Sequence, residues 1–237
     1  MHKVFRFKVL MVASLLAFSL LSVSGCGLGG KKIAINEKNF PDEGLRKSLL
    51  SYDKYWDNDG KLDESEIASI DHLILNDVKD FTGLECLTSL KAIEIRKCTI
   101  DELKFANVPN LNNLVISEGC YVRKLNLSKN PKIVKLICKN ISLEELVLPS
   151  NSSLGFLICS NNKLTNVELS GCDELCYVSL EGNDLSSLDI GDCPRLSKMV
   201  QSNSSRKTMN SGTTKYINGM DQLSINSDVV IVMNKNS

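Results

Sequence analysis

The chain offers nine cysteines as its first source of chemistry. The stretch LICKN at 136–140 returns as LICSN at 157–161, so Cys138 and Cys159 share one context. Such a pair is open to four readings: a thiol site, a metal site, a disulfide, or two small buried apolar residues. Cys172-x-x-x-Cys176 hints at a metal, but no second pair and no histidine accompany it, which argues against structural zinc. Nucleophilic schemes fare worse, because His72 is the only histidine beyond His2 and each of them needs a base. No GxSxG elbow, phosphate-binding loop or dinucleotide fingerprint occurs, and acidic pairs such as Asp101-Glu102 and Glu144-Glu145 read as solvated surface. The expectation is a protein that is not an enzyme and holds no cofactor, calcium being the one exception to weigh.

Calcium enters through DKYWDNDGKLDESEI, residues 53–67, which resembles an EF-hand loop. With Gly60 at loop position six, Asp57, Asp59, Asp63 and Glu66 take positions three, five, nine and twelve. These four are the candidate metal ligands. Position one, however, falls on Tyr55, which has no carboxylate, and Asp53 reaches in only if the loop is expanded. The competing reading is a turn at Asn58-Asp59-Gly60 followed by a helix whose Asp63 and Glu66 form a capping box.

The N-terminus reads as an export signal. Lys3, Arg6 and Lys8 precede an uncharged run from Val9 to Val23, the length of a signal core and short for a membrane span. Val23-Ser24-Gly25-Cys26 resembles the bacterial lipobox, which implies lipidation of Cys26 and an outward-facing anchor in the bacterial cell membrane. Residues 1–25 are thus expected as a lipoprotein signal peptide and 26–33 as a tether. Without the three basic residues of the signal, 25 basic side chains face 28 acidic ones, which disfavours nucleic acid as a partner.

Downstream, the chain repeats itself. Blocks at 91–111, 112–133, 134–154, 155–175 and 176–196 align on LIC; four are 21 residues long and one is 22. Their third and fifth positions, such as Ile93 and Ile95 or Leu157 and Cys159, alternate as a strand with one buried face requires. A second alternation follows at Leu103 and Phe105, Leu125 and Leu127, Leu146 and Leu148, Val167 and Leu169, Leu188 and Ile190. A coil of this kind cannot close a core alone, so it must stack on its neighbours and be capped at both ends. The spacing resembles that of leucine-rich repeats, with Asn162 and Asn183 at the ladder asparagine; Cys98, Cys120 and Ile141 depart from it.

The resemblance implies a fold that is α/β or mainly β: a short leucine-rich repeat solenoid of 21-residue coils over 71–200. A helical, EF-hand-like N-terminal cap is expected over 34–70, with a C-terminal loop and capping strand over 201–237. Bacterial cell-surface repeat proteins of this kind carry a similar FPD helix and DGxL segment before their repeats. Within the cap, NFPDEGLRKSLLSY predicts a helix with Pro41 in its first turn and Leu45, Leu49 and Leu50 on one side. At the far end, residues 202–215 read as a loop and Val229–Met233 as the strand covering the last coil. Most of the eight remaining cysteines are expected as free, buried, apolar residues. Column mates about 4.8 Å apart lie within disulfide reach, but their parallel side chains argue against bonding.

What remains is the outward side of the first strand. Positions two and four place Val115, Ile137, Ile158, Phe156 and Tyr177 together beside Lys135, with Arg96, Lys139, Glu181 and Lys198 around them and Val200 continuing the column. An apolar stripe with a charged rim is what a protein or peptide contact requires. The expected function is a non-catalytic, lipid-anchored surface binding module for a protein or peptide, with a glycan as a further ligand class. The alternative is a calcium-stabilised structural or adhesive element in which the acidic loop matters most.

Overall fold

The computed structural model describes residues 32–105, 108–117, 119–150, 153–202, 206–210 and 212–233. It opens with β1 (Ile33–Ala34), α1 (Glu43–Asp53), β2 (Lys61–Leu62) and α2 (Glu64–Ser69). Asp42 caps α1 through Oδ1, which accepts the Leu45 N–H at 2.8 Å. Its Oδ2 accepts the backbone N–H groups of Lys79 and Asp80 at 2.9 and 3.2 Å, so one carboxylate both starts the helix and fastens it to the first coil. Pro41, expected in the first turn, stands just before the cap. Leu45 and Leu49 are buried beside Phe40, but Leu50 is 41% exposed, because five residues carry it about 140° around the helix from Leu45.

The coils follow. The first strands of successive coils are β3 (His72–Asn76), β4 (Ala92–Arg96), β6 (Asn113–Ile116), β8 (Lys135–Cys138), β10 (Phe156–Ile158) and β11 (Tyr177–Ser179). Interleaved with them on the second edge are β5 (Thr99–Lys104), β7 (Tyr121–Asn126), β9 (Glu145–Val147) and β12 (Ser187–Asp189). All neighbouring first strands pair in parallel and in the register of the repeat, for example Leu114 with Leu136 and Leu136 with Leu157. The inward columns Leu73, Ile93, Leu114, Leu136, Leu157 and Val178 are at most 1% exposed. The second edge is less regular: β5, β7 and β9 form one sheet, while Val167 and Leu169 are buried without forming a strand.

After β3, β4, β8, β10 and β11 the chain passes through a left-handed residue at repeat position seven. Asp77, Lys97, Asn140 and Asn161 have φ between 53° and 55°, and Gly182 has φ 72°. Asparagine and glycine tolerate this conformation, so the column places turn-formers where the chain must leave the sheet. The turn buries backbone polar groups that side chains must satisfy. Asn162 Oδ1 accepts the N–H groups of Ile141 and Leu143 at 3.1 and 3.0 Å, and its Nδ2 donates to the carbonyls of Cys138 and Cys159 at 2.7 and 3.0 Å. Asn183 repeats the arrangement one coil on. Where the asparagine is missing, Cys120 fills its place: Sγ accepts the Cys98 N–H at 3.3 Å and donates to the Ile95 carbonyl at 3.6 Å.

The C-terminal end departs from the sequence expectation. The repeat strand expected after β11 does not form; Pro194 instead starts α3 (Pro194–Gln201), with proline at the position helices favour for it. Lys198 and Val200 therefore lie on a helix and leave the outward face of the sheet. The segment 202–215, read as a loop, contains β13 (Arg206–Asn210) and the start of β14 (Thr213–Asn218). A Gly219-Met220 turn then leads into β15 (Asp221–Asn226), and β16 (Val230–Val232) closes the described chain. β15 pairs in parallel with β11, so Leu223 completes the column of Val178 and the long sheet reaches nine strands. β16 pairs with β12, so the strand expected near Val229–Met233 covers the second edge, and a segment not expected to be a strand covers the first.

Cys138 and Cys159 are joined by a disulfide, with Cα atoms 4.8 Å apart. This corrects the expectation that parallel ladder side chains would stay apart: the coil spacing lies inside the disulfide range, and both side chains enter the same interior. Cys98, Cys120, Cys176 and Cys193 keep their thiols and are buried.

Two outcomes follow from this architecture. Asn162→Leu should lower stability by about 2 to 4 kcal/mol in urea unfolding, because it strands buried amide and carbonyl groups; a loss under about 1 kcal/mol would mean water replaces the side chain. A nonreducing peptide map should recover Cys138 and Cys159 in one linked species, and reduction should cost about 3 kcal/mol of stability.

Candidate functional site

Two clusters carry chemistry outside the core, the outward face of the long sheet and the acidic loop between α1 and α2. On the sheet, register brings Val115, Ile137 and Ile158 into one row across β6, β8 and β10. Two residues nearer the strand starts, Lys135, Phe156 and Tyr177 form the adjacent row. Phe156 is 40% exposed, while Val115, Ile137, Ile158 and Tyr177 are half-buried, as residues on an open sheet face are. The Phe156 and Tyr177 rings are stacked, with centroids 6.0 Å apart and planes 29° from parallel.

The apolar band has defined ends. On the N-terminal side Glu94 replaces the aliphatic residue and is held by Arg96 at 2.6 Å, so that charge pair closes the row. The guanidinium holds the Glu94 carboxyl below the usual carboxylate range. On the C-terminal side Ser179 stands in the row, its hydroxyl donating to Glu181 at 2.8 Å. Lys135 and Lys139 are exposed and form no ion pair among the described residues, which leaves positive charge beside the band. Sequence reasoning missed the continuation of this sheet onto β15 and β14, where Gln222, Ile217 and Lys215 follow in register as half-buried residues and Ser224 is buried. The signal was present in the alternation of TTKYIN and DQLSIN around a glycine turn.

The second edge differs. Lys104 pairs with Glu102, Lys124 with Glu145, and Arg123 with Asp101 and Glu144, at 2.7 to 3.1 Å. Its outward face carries exposed ion pairs, each worth little in stability, with Tyr121, Val147 and Val230 as the apolar side chains among them.

In the loop, the structure separates the four carboxylates expected to act together. Asp63 caps α2: its Oδ1 accepts the N–H groups of Ser65 and Glu66, and Glu66 Oε2 accepts the Asp63 N–H at 2.7 Å. This is the capping box that competed with the calcium reading. The N–H of Glu66, the hydroxyl of Ser65 and its N–H hold the Asp63 carboxyl below the usual range, whereas burial raises that of Glu66. Asp57 and Asp59 instead receive the Lys32 ammonium, at 2.6 and 2.8 Å. That contact lowers the Asp57 pKa and raises that of Lys32. Their carboxylate neighbour is Asp53, the residue an expanded loop would bring in; one oxygen from each of the three lies within 4.8 Å of the others.

The remaining reactive groups are set apart. His72 is on the exposed side of β3, whereas Cys98 and Cys193 lie in the core, where burial raises both thiol pKa values, that of Cys193 to about 12. A thiol held protonated is a poor nucleophile. Cys26 and the signal segment lie outside the described residues; among those described, no helix is long and apolar enough to cross a membrane.

No family model matches the sequence, and no curated protein does. Among solved structures the chain is similar to an internalin (inlF) from Listeria monocytogenes, with 21% identity and a TM-score of 0.48 over 68% of this chain and 52% of that one. It is also similar to InlP of the same organism, with 16% identity and a TM-score of 0.44 over 66% of this chain and 55% of that one. A third likeness is to internalin C2 (inlC2), with 19% identity and a TM-score of 0.46 over 70% of this chain and 85% of that one. The chain spans about half the length of the first two.

Hydroxyl-radical footprinting of the free protein should modify Phe156 readily and leave Phe40 and Phe105 intact, in line with exposures of 40%, 0% and 2%. Protection of Phe156 would mean that another part of the chain covers the band.

Proposed function

We propose that this chain is a non-catalytic binding module that takes a protein or peptide segment on the outward face of β6, β8, β10 and β11. The observation that carries the reading is the in-register band of Val115, Ile137, Ile158, Phe156 and Tyr177 on a sheet whose opposite face is the core. Burying such a band stabilises a complex by roughly 25 cal/mol per Å² of apolar surface, and a rigid sheet loses little entropy in doing so. Lys135 at the edge of the band favours a partner with an acidic group beside its apolar contact. The stacked Phe156 and Tyr177 rings support a glycan as a second ligand class, since sugar C–H faces pack on aromatic rings.

The module works outside the cell. Its N-terminal segment directs export, and a lipid on Cys26 anchors it in the bacterial cell membrane with the repeats facing outward. A disulfide between Cys138 and Cys159 suits that oxidising side. No step requires a cofactor, because binding is the whole function.

The test is capture from a native cell-surface extract by the immobilised chain and by two variants. The wild type should retain a discrete protein or glycan species. The double substitution Ile137→Asp and Ile158→Asp should abolish its retention, by about 100-fold or more, while the melting temperature stays within a few degrees. Val147→Asp on the second edge should retain it. Equal capture by all three would sink the proposal, and unfolding of the double variant would mean the band is internal.

A further inference from the structure

The acidic loop leaves one feature that its turn and its helix cap do not use. Asp53 ends α1 with its side chain inside the cap and is 1% exposed. Its Oδ2 accepts the Gly60 N–H at 3.1 Å, but its Oδ1 is buried with no hydrogen-bond partner. A buried carboxylate oxygen without a donor is costly, and native proteins satisfy such atoms with a proton donor, a water or a cation. One carboxylate oxygen each from Asp53, Asp57 and Asp59 lie within 4.8 Å of one another, the separation of oxygens on opposite sides of an ion held at about 2.4 Å. Donors of this kind are hard and anionic, so the matching ligand is a hard divalent cation.

We infer that Asp53, Asp57 and Asp59 form a calcium site whose competing occupant is the ammonium of Lys32. Three carboxylates face one ammonium, so Lys32 leaves the cluster with excess negative charge. A divalent ion would neutralise more of it and give Asp53 Oδ1 a partner, which an amine bound to Asp57 and Asp59 does not. The ligand set differs from the EF-hand assignment, since Asp63 and Glu66 are held in the capping box and Asp53 supplies the missing carboxylate. Lys32 lies immediately before β1, and β1 pairs with β2 directly after the loop. Calcium that displaces Lys32 would therefore free the start of the described chain from the loop while tightening the loop itself. The protein would then have a local switch at the junction between its tether and its cap. This site is independent of the binding face on the sheet.

The single tryptophan, Trp56, lies inside the loop and provides the probe. Terbium, a calcium mimic, added to the purified full chain should give luminescence sensitised by Trp56, and calcium should compete it away at about 10⁻⁴ to 10⁻³ M, the range of extracellular sites. Asp57→Asn with Asp59→Asn should weaken calcium binding by about tenfold or more, with the melting temperature in chelator unchanged. Lys32→Met should strengthen it several-fold by removing the competitor. Absence of sensitised emission that calcium competes away, emission that survives the double substitution, or unchanged calcium affinity in Lys32→Met would each overturn the inference.

Discussion

Parallel pairing between coils in one fixed register is the constraint on which this molecule depends. A coil of 21 residues has only a few inward side chains and cannot close a core around them. Pairing Leu114 with Leu136 and Leu136 with Leu157 makes each coil one wall of its neighbour's interior. A shift of one residue would turn every inward leucine outward, so the register is set by the hydrophobic columns themselves. The same register is what assembles Val115, Ile137 and Ile158 into a row. Core and candidate binding face are two consequences of one alternation.

Close stacking raises a polar problem that the chain solves with side chains. The turn after each first strand buries N–H and C=O groups, and Asn162 and Asn183 each serve the coil before them. Cys120 does part of this work with longer, weaker sulfur contacts. Open ends are the second problem, since an unpaired edge invites association. At the N-terminus Phe40, Leu45 and Leu49 cover the first coil, and the Tyr52 hydroxyl donates to the His72 carbonyl at 2.6 Å. At the C-terminus the non-repeat strand β15 takes the next place in the sheet, and β14 and β13 extend it with antiparallel pairing.

Much of this was legible in the sequence, for a physical reason. A repeat writes the same steric demands several times, so the columns of leucine, asparagine and cysteine reveal the strands and their facing without reference to any neighbour. The starts of β4, β6, β8, β10 and β11 fall where the alternation places them. The ends were less legible because they occur once. Lys198 and Val200 fitted the repeat phase, yet Pro194 and the following residues favour a helix, and nothing in the phase records that the stack has ended. The disulfide was obscured for a different reason: spacing allowed it, and only side-chain direction decided it. In the loop, sequence spacing grouped Asp57, Asp59, Asp63 and Glu66, but a capping box forms from adjacent residues and removes two of them.

The two faces of the coil stack divide the work. Ion pairs clothe the second edge, while the long sheet keeps an apolar band between a Glu94–Arg96 pair and a Ser179 hydroxyl. That asymmetry is the central claim, and a photo-crosslinking residue placed at position 137 or at position 147 in the protein on its native surface tests it directly. A discrete crosslinked partner is expected from position 137 and none from position 147. The same partner from both positions, or from position 147 alone, would contradict it.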